Sequence, residues 1–292
     1  MPDRLSSIES ELQNRWPENK LEPTLGRISA LLKLAGDPHR GYSTIHITGT
    51  NGKSTTARMI DEVLRAAGLR TGRYTSPHLV SVRERIVIDG HSVDADMFVE
   101  VYDFLRPHID TVDAVNTVPL SFFEIMTAIG LMCFARAGVE VAVVEVGIGG
   151  RWDATNVVDG RVCVITPISL DHTDFLGPDE NSIAIEKSRI VKLGSTLVTG
   201  RQSEEISELL AARAASVGAV TLHSCNAVDL IDRVQHHDRQ TLRPACHPSP
   251  GEHRRATAQG TVETGPFCAG VVDRRDPRAR GDGGVAPQTS VD

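Results

Sequence analysis

The stretch HITGTNGKSTT, residues 46–56, decides the fold. A nucleotide loop of the usual kind reads G-x-x-x-x-G-K-[ST], so Gly52 and Lys53 as its G-K pair call for glycine at position 47, where this chain has Ile. Residues 43–47 are a short β-prone run, and a helical stretch over 54–67 follows the loop and stops at Gly68. Such a strand, loop and helix can aim several backbone N–H groups and a helix N-terminus at an anion. Lys53 would then reach the β- and γ-phosphates, with the Ser54 hydroxyl near a magnesium ion. A bare GKS also occurs in plain turns; the flanking strand and helix favour the phosphate reading here.

The same alternation extends outward. A strand is predicted at 70–74, a helix at 120–137, strands at 140–146 and 162–167, a helix at 182–192, a strand at 195–199 and a helix at 204–215. Residues 4–34 carry apolar positions at helical spacing broken by Pro17 and Pro23, which predicts two short helices ahead of the loop. All-apolar runs such as VAVVEV belong to strands covered on both faces. The expected class is α/β, a mainly parallel sheet with helices on both sides.

At 292 residues and net charge −7, the chain is long enough for one large domain or two small ones. Lys and Arg are scattered, so nucleic-acid binding is not expected. No leader pattern and no apolar run near the length needed to span a bilayer is found, and a cytoplasmic protein without membrane attachment is expected. The five cysteines, Cys133, Cys163, Cys225, Cys246 and Cys268, show no C-x-x-C spacing, which speaks against a disulfide framework or zinc knuckle.

From about His223 the character changes. RVQHHDRQTLRPACHPSPGEHRRATAQG follows neither period, Lys is absent after Lys192, and three of the five cysteines fall within 223–292. Residues 1–222 are expected to form the ordered domain, incomplete at its end, and 223–292 an irregular tail, disordered or translated out of frame.

Two further clusters stand at strand ends. In VAVVEVGIGGRWDATN, residues 141–156, Glu145 closes an apolar strand before a glycine-rich loop, where open parallel sheets bind ligands. A carboxylate there binds a metal, pairs with a buried Arg or caps a neighbouring helix. In ITPISLDHTDFLG, residues 165–177, Asp171, His172 and Asp174 follow another strand; His172 alone reads as a satisfied structural histidine more readily than as a ligand. With the phosphate loop on a third strand, convergence on one site is expected.

TGTNGKSTT, TSPHLVSVRERI, SFFEIMTA, VVEVGIGGRWDATN, SLDHTDFLG and SIAIEKSRI, in this order, resemble the successive motifs of the folylpolyglutamate synthase and dihydrofolate synthase family, within the Mur ligase superfamily. The resemblance covers roughly residues 20–222 and implies that superfamily's ATP-binding α/β domain. In this superfamily the loop opens at Gly49 as G-T-N-G-K-[ST], so Ile47 belongs to the strand. The implied activity is ATP-dependent amide formation: a folate or dihydropteroate carboxylate is activated as an acyl phosphate and attacked by the amino group of L-glutamate. The implied cofactors are ATP and Mg2+. On the family pattern Gly49, Thr50, Asn51, Gly52, Lys53 and Ser54 hold the ATP phosphates, and Ser76, Glu145 and His172 match the magnesium ligands. Lys53, His172 and Lys187 are the implied catalytic groups, Lys187 matching the lysine carbamylated in relatives. Phe123 and Glu124 are expected at the pterin and benzoate end of the substrate, by ring stacking and by accepting from ring N–H groups. Core packing is the alternative for Phe122 and Phe123. Trp152 and Asp153 also match substrate-side positions. A monomer is expected.

The chain departs from the pattern at Ser188 and Arg189, where the family reads EKAGI, and nothing after Leu222 matches the family's second, glutamate-binding domain. Two other readings therefore stand beside the folate ligase: a Mur ligase acting on a UDP-muramyl precursor, and a non-catalytic nucleotide-binding remnant.

Overall fold

The computed structural model describes residues 4–16, 23–223, 228–235, 240–246, 262–264 and 270–272. In chain order the elements are α1 (Arg4–Gln13), α2 (Gly26–Leu34), β1 (Ser43–Thr48), α3 (Lys53–Ala66), β2 (Thr71–Tyr74), β3 (Ile86–Ile88), β4 (His91–Ser92), α4 (Ala95–Val115), α5 (Phe122–Arg136), β5 (Val141–Glu145), β6 (Gly160–Ile165), α6 (Thr173–Leu176), α7 (Glu180–Ser188), β7 (Thr196–Thr199), α8 (Glu204–Ser216), β8 (Val220–His223), β9 (Val228–Gln235), β10 (Gln240–Cys246), β11 (Val262–Thr264) and β12 (Gly270–Val272).

Strands β4-β3-β2-β5-β1-β6-β7-β8 form one sheet in that order, parallel from β2 to β8. The α/β expectation is met, with an antiparallel edge that the alternation did not predict. That edge is a hairpin: β3 turns into β4 through Asp89 and Gly90, both at positive φ (48° and 82°). Asp-Gly is the dipeptide such a two-residue turn favours.

Helices cover both faces. On one, α3 lays Ala57 over Ile47, Val143 and Val164. On the other, α5 is buried nearly all round, from Phe122 to Phe134, between the sheet and α1, α2 and α4. An apolar run with no polar face is stable only when enclosed in this way. A second core joins Cys163, Ile165 and Leu197 to Ile206 and Leu210 of α8 and Ala184 of α7. Helix α7 is shorter than the predicted 182–192: Asp179 caps its start, accepting from Ser182 N at 2.7 Å, and the helix ends at Ser188.

The irregular tail expected from 223 falls largely on residues outside those described, and the described ones within it form strands. His223 completes β8, and β9 to β12 pair as a four-stranded antiparallel sheet. The local run VDLIDRVQ is β-prone. The tail's overall Arg, His and Pro content conceals it. Residues 247–261 and 273–292, with Cys225 and Cys268, lie outside the described residues. Cys133 and Cys163 are free and buried.

Candidate phosphate and metal site

β1 lies between β5 and β6, so the loops leaving the three strands meet at one edge of the sheet. Connections diverge to opposite sides of β1 here, the switch point where open α/β sheets bind ligands.

The loop after β1 is tightly specified. Gly49 has φ 145°, and a Cβ there would stand 1.8 Å from Thr166 Oγ1, so only glycine fits. Thr50 N donates to Pro167 O at 3.1 Å, and Thr50 Oγ1 exchanges hydrogen bonds with Ser169 O (3.0 Å) and Ser169 N (3.1 Å). Gly52, at φ 83°, starts α3 with no side-chain cap, which leaves the first-turn amides to face an anion. Lys53 Nζ rests on the carbonyls of Gly49 (3.2 Å) and Thr50 (3.3 Å).

Glu145 closes β5 and is 2 % exposed. Its Oε1 accepts from Ser54 Oγ at 2.8 Å, while Oε2 is buried without a partner. Burial pushes its carboxyl up; the Ser54 hydroxyl and the Lys53 charge pull the other way. His172 sits in the left-handed region at φ 49°, a conformation that concentrates at functional sites, with Nε2 3.5 Å from Asp171 Oδ2.

These groups converge. A cleft of about 430 Å³ is lined by Thr50 to Thr55, Ser76, Pro77, Glu145, Gly147, Ile148 and His172. Thus the expected phosphate-loop residues from Thr50 to Ser54 and all three expected metal ligands share one cavity. Among the described residues no group of three or more His, Cys, Asp and Glu side chains could hold a metal alone. The oxygen donors Ser54, Ser76 and Glu145 suit a hard divalent cation, whose remaining positions phosphate oxygens and water would fill. The orphaned, desolvated Glu145 Oε2 is the atom such a cation would satisfy.

Lys187 lies behind the loop rather than in the cleft. Its Nζ donates to Gly49 O at 2.7 Å, the side chain is 3 % exposed, and burial, followed by the Lys53 charge, pushes its ammonium down to about 8. Ser188, one of the two departures from the family pattern, is buried and donates to Ile185 O at 2.7 Å.

The expected substrate contacts divide. Trp152, 43 % exposed, and Asp153 line a second pocket of about 240 Å³ with Ile148, Asp174, Phe175 and Glu186; Ile148 is common to both cavities. Two of these residues are engaged by hydrogen bonds within the fold. Glu124 is buried and taken up by Arg27 (Nε 3.2 Å, Nη2 3.2 Å) and by Ser121 N at 2.8 Å, which makes it a structural ion pair and helix cap. Asp153 is likewise held by its own loop, accepting from Thr155 N at 2.9 Å and Ile148 N at 3.1 Å. Phe123 is half-buried, 6.2 Å from the Tyr74 ring and beneath Gly147, and Phe122 packs in the core under Arg85. Sequence reasoning missed Thr166, Gly147 and Ile148; the glycines of VGIGG were the available signal, since a backbone wall needs no Cβ.

Residues 47–243 match the family described as Mur ligase middle domain. The chain belongs to the Mur ligase family. The match to this family runs past residue 222 into β10, beyond where the motif resemblance stops. Among curated relatives, the dihydrofolate synthase/folylpolyglutamate synthase of Mycobacterium tuberculosis is 45 % identical over 234 residues, covering 75 % of this chain and 48 % of the relative. The solved Mycobacterium tuberculosis folylpolyglutamate synthase complexed with ADP superposes with TM-score 0.78 at 42 % identity, over 82 % of this chain and 55 % of that one. An FPGS-AMPPCP-folate complex superposes equally, TM-score 0.78, at 32 % identity over 83 % of this chain and 59 % of that one. This Mur ligase family chain spans about half the length of the curated relatives it matches. No helix among its described residues is long and apolar enough to cross a membrane.

Proposed function

We propose that the chain carries the nucleotide-binding site of an ATP-dependent ligase that joins L-glutamate to the carboxylate of a folate or of dihydropteroate. The observation that carries this is the single cleft bringing Thr50–Ser54 together with Ser76, Glu145 and His172. Loop amides and the start of α3 bind the phosphates, and Lys53 leaves its resting carbonyls to meet their charge. Magnesium, held by Ser54, Ser76, Glu145 and His172, supplies charge neutralisation at the phosphates when bound. The substrate carboxylate attacks the γ-phosphorus; ADP leaves and an acyl phosphate forms. The amino group of glutamate then attacks the acyl carbon, an amide bond forms, and phosphate departs with the nitrogen losing a proton. Lys187, carbamylated, gains an anionic oxygen beside the loop. The second pocket offers the Trp152 and Phe175 faces and the Asp174 and Glu186 carboxylates, chemistry suited to a flat ring bearing N–H donors.

The purified chain, assayed for ADP release in the presence of glutamate and dihydropteroate or tetrahydrofolate, tests the proposal. Release dependent on both co-substrates supports it. Turnover with a UDP-muramyl peptide sinks the folate assignment, and ADP binding without release leaves a nucleotide-binding part alone.

A further inference from the structure

His46 is wholly buried on β1, two residues before the end of the strand, facing Gly160 of β6. A Cβ at position 160 would stand 2.9 Å from His46 Cβ, so glycine there makes room for the ring. His46 Nε2 lies 2.9 Å from Thr155 Oγ1, and Nδ1 is buried without a partner. Thr155, also fully buried, donates its hydroxyl to Asp153 Oδ1, and Asp153 Oδ2 accepts from the backbone N–H of Ile148 at 3.1 Å. This chain of bonds runs from the central strand to Ile148, which lines both cavities.

With Asp153 ionised, counting protons gives the direction of each bond. Thr155 has one hydroxyl hydrogen, given to Asp153; burial raises the Asp153 carboxyl, while that hydroxyl and the backbone N–H groups of Thr155 and Ile148 favour its ionised form, which can only accept. The hydroxyl oxygen must therefore accept from His46, which places the ring proton on Nε2 and leaves Nδ1 bare. Burial pushes the imidazolium down to about 3, which keeps the ring neutral.

We propose that His46, as its neutral Nε2–H tautomer, is a positioning residue that acts through Thr155 and Asp153 to hold Ile148 at the wall between the two cavities. That these cavities take nucleotide and acceptor rests on the function proposed above; the hydrogen-bond chain itself does not.

The test starts on the unaltered, ligand-free protein, with nitrogen NMR of its labelled histidines and the His46 signal assigned by loss in His46→Gln. The expected result is a neutral ring protonated at Nε2 across the range where an exposed histidine titrates, about pH 5 to 8. A proton on Nδ1, or titration in that range, overturns the inference. Hydrogen exchange at the Ile148 amide is then compared among variants. His46→Phe should speed it about tenfold, the loss expected for one neutral hydrogen bond, and His46→Gln, which keeps a donor, should restore it to within about twofold. In the ligase assay the Phe variant should raise the KM for ATP or acceptor more than it lowers kcat, with Gln rescuing. Equal exchange in all three proteins overturns the positioning role. If the unaltered protein binds no ADP while the tautomer is as stated, the proposed function fails and this inference stands.

Discussion

Lys187 Nζ and Lys53 Nζ both donate to the carbonyl oxygen of Gly49, at 2.7 Å and 3.2 Å. Burial, and after it the Lys53 charge on the same carbonyl, favours the neutral form of Lys187, whose ammonium is held at about 8. The free amine can attack carbon dioxide, forming an N–C bond and releasing one proton. In labelled bicarbonate a carbamate carbon signal should appear above about pH 8, fade below it, and be missing in Lys187→Met. Its absence from the unaltered protein at higher pH would refute carbamylation. Stability carries the same group's mark. The folded value lies below the ordinary 10.5, so between about 8 and 10.5 the unfolded chain holds the extra proton. Stability from this group therefore rises with pH across that window, and its penalty is complete below about 8. Lys187→Met should flatten that slope in chemical unfolding.

Lys53→Ala should weaken ADP binding at least about tenfold by calorimetry, with little change in melting temperature. Its resting bonds are long ones, 3.2 and 3.3 Å, to two carbonyls of its own loop, which water can satisfy once the half-exposed side chain is gone. Unchanged affinity would refute the phosphate role.

Glu145→Gln should separate stability from function. Burial raises this carboxyl, so its ionised form is disfavoured in the fold and the penalty is present at neutral pH. The amide should raise stability by about 1–2 kcal/mol in the ligand-free protein. The same change should remove most of the magnesium dependence of ADP affinity. A variant that is destabilised and retains that dependence would count against the metal assignment.

Gly49→Ala combines a disfavoured φ with a clash against Thr166 Oγ1 and the Thr166 carbonyl. We expect a loss of about 3 kcal/mol and weaker nucleotide binding, read by melting and by calorimetry.

Glu124→Ala distinguishes the ion pair from the substrate contact expected of this residue. It leaves the Arg27 guanidinium buried and unpaired, a loss of about 3–5 kcal/mol. A stable variant with only a raised KM for the acceptor would favour the substrate role.

How far the sequence reveals all this depends on the range of each interaction. Strand and helix periods of 43–67 and 120–146 are local properties, and β1, α3, α5 and β5 stand within one or two residues of the predicted bounds. The convergence of Glu145 and His172 on the loop was legible because parallel strands place their carboxyl ends at one edge. Partners were not legible. Arg27 is 97 positions from Glu124, and no spacing rule joins them. The motif match placed Asp153 on the substrate side, but the donors that hold it, Thr155 and Ile148, could not be read from it.

The pairing of Ile47 with Glu145 in the sheet, continued by Val146 N on Ile47 O (2.9 Å) and Thr166 N on Thr48 O (2.9 Å), makes the cleft a readout of strand alignment. A slip of one residue would turn Glu145 to the opposite face and carry the phosphate loop away from Thr166. Precision at the proposed metal and phosphate site is thus inherited from backbone ladders in the middle of the sheet, the part of such a fold that opens last.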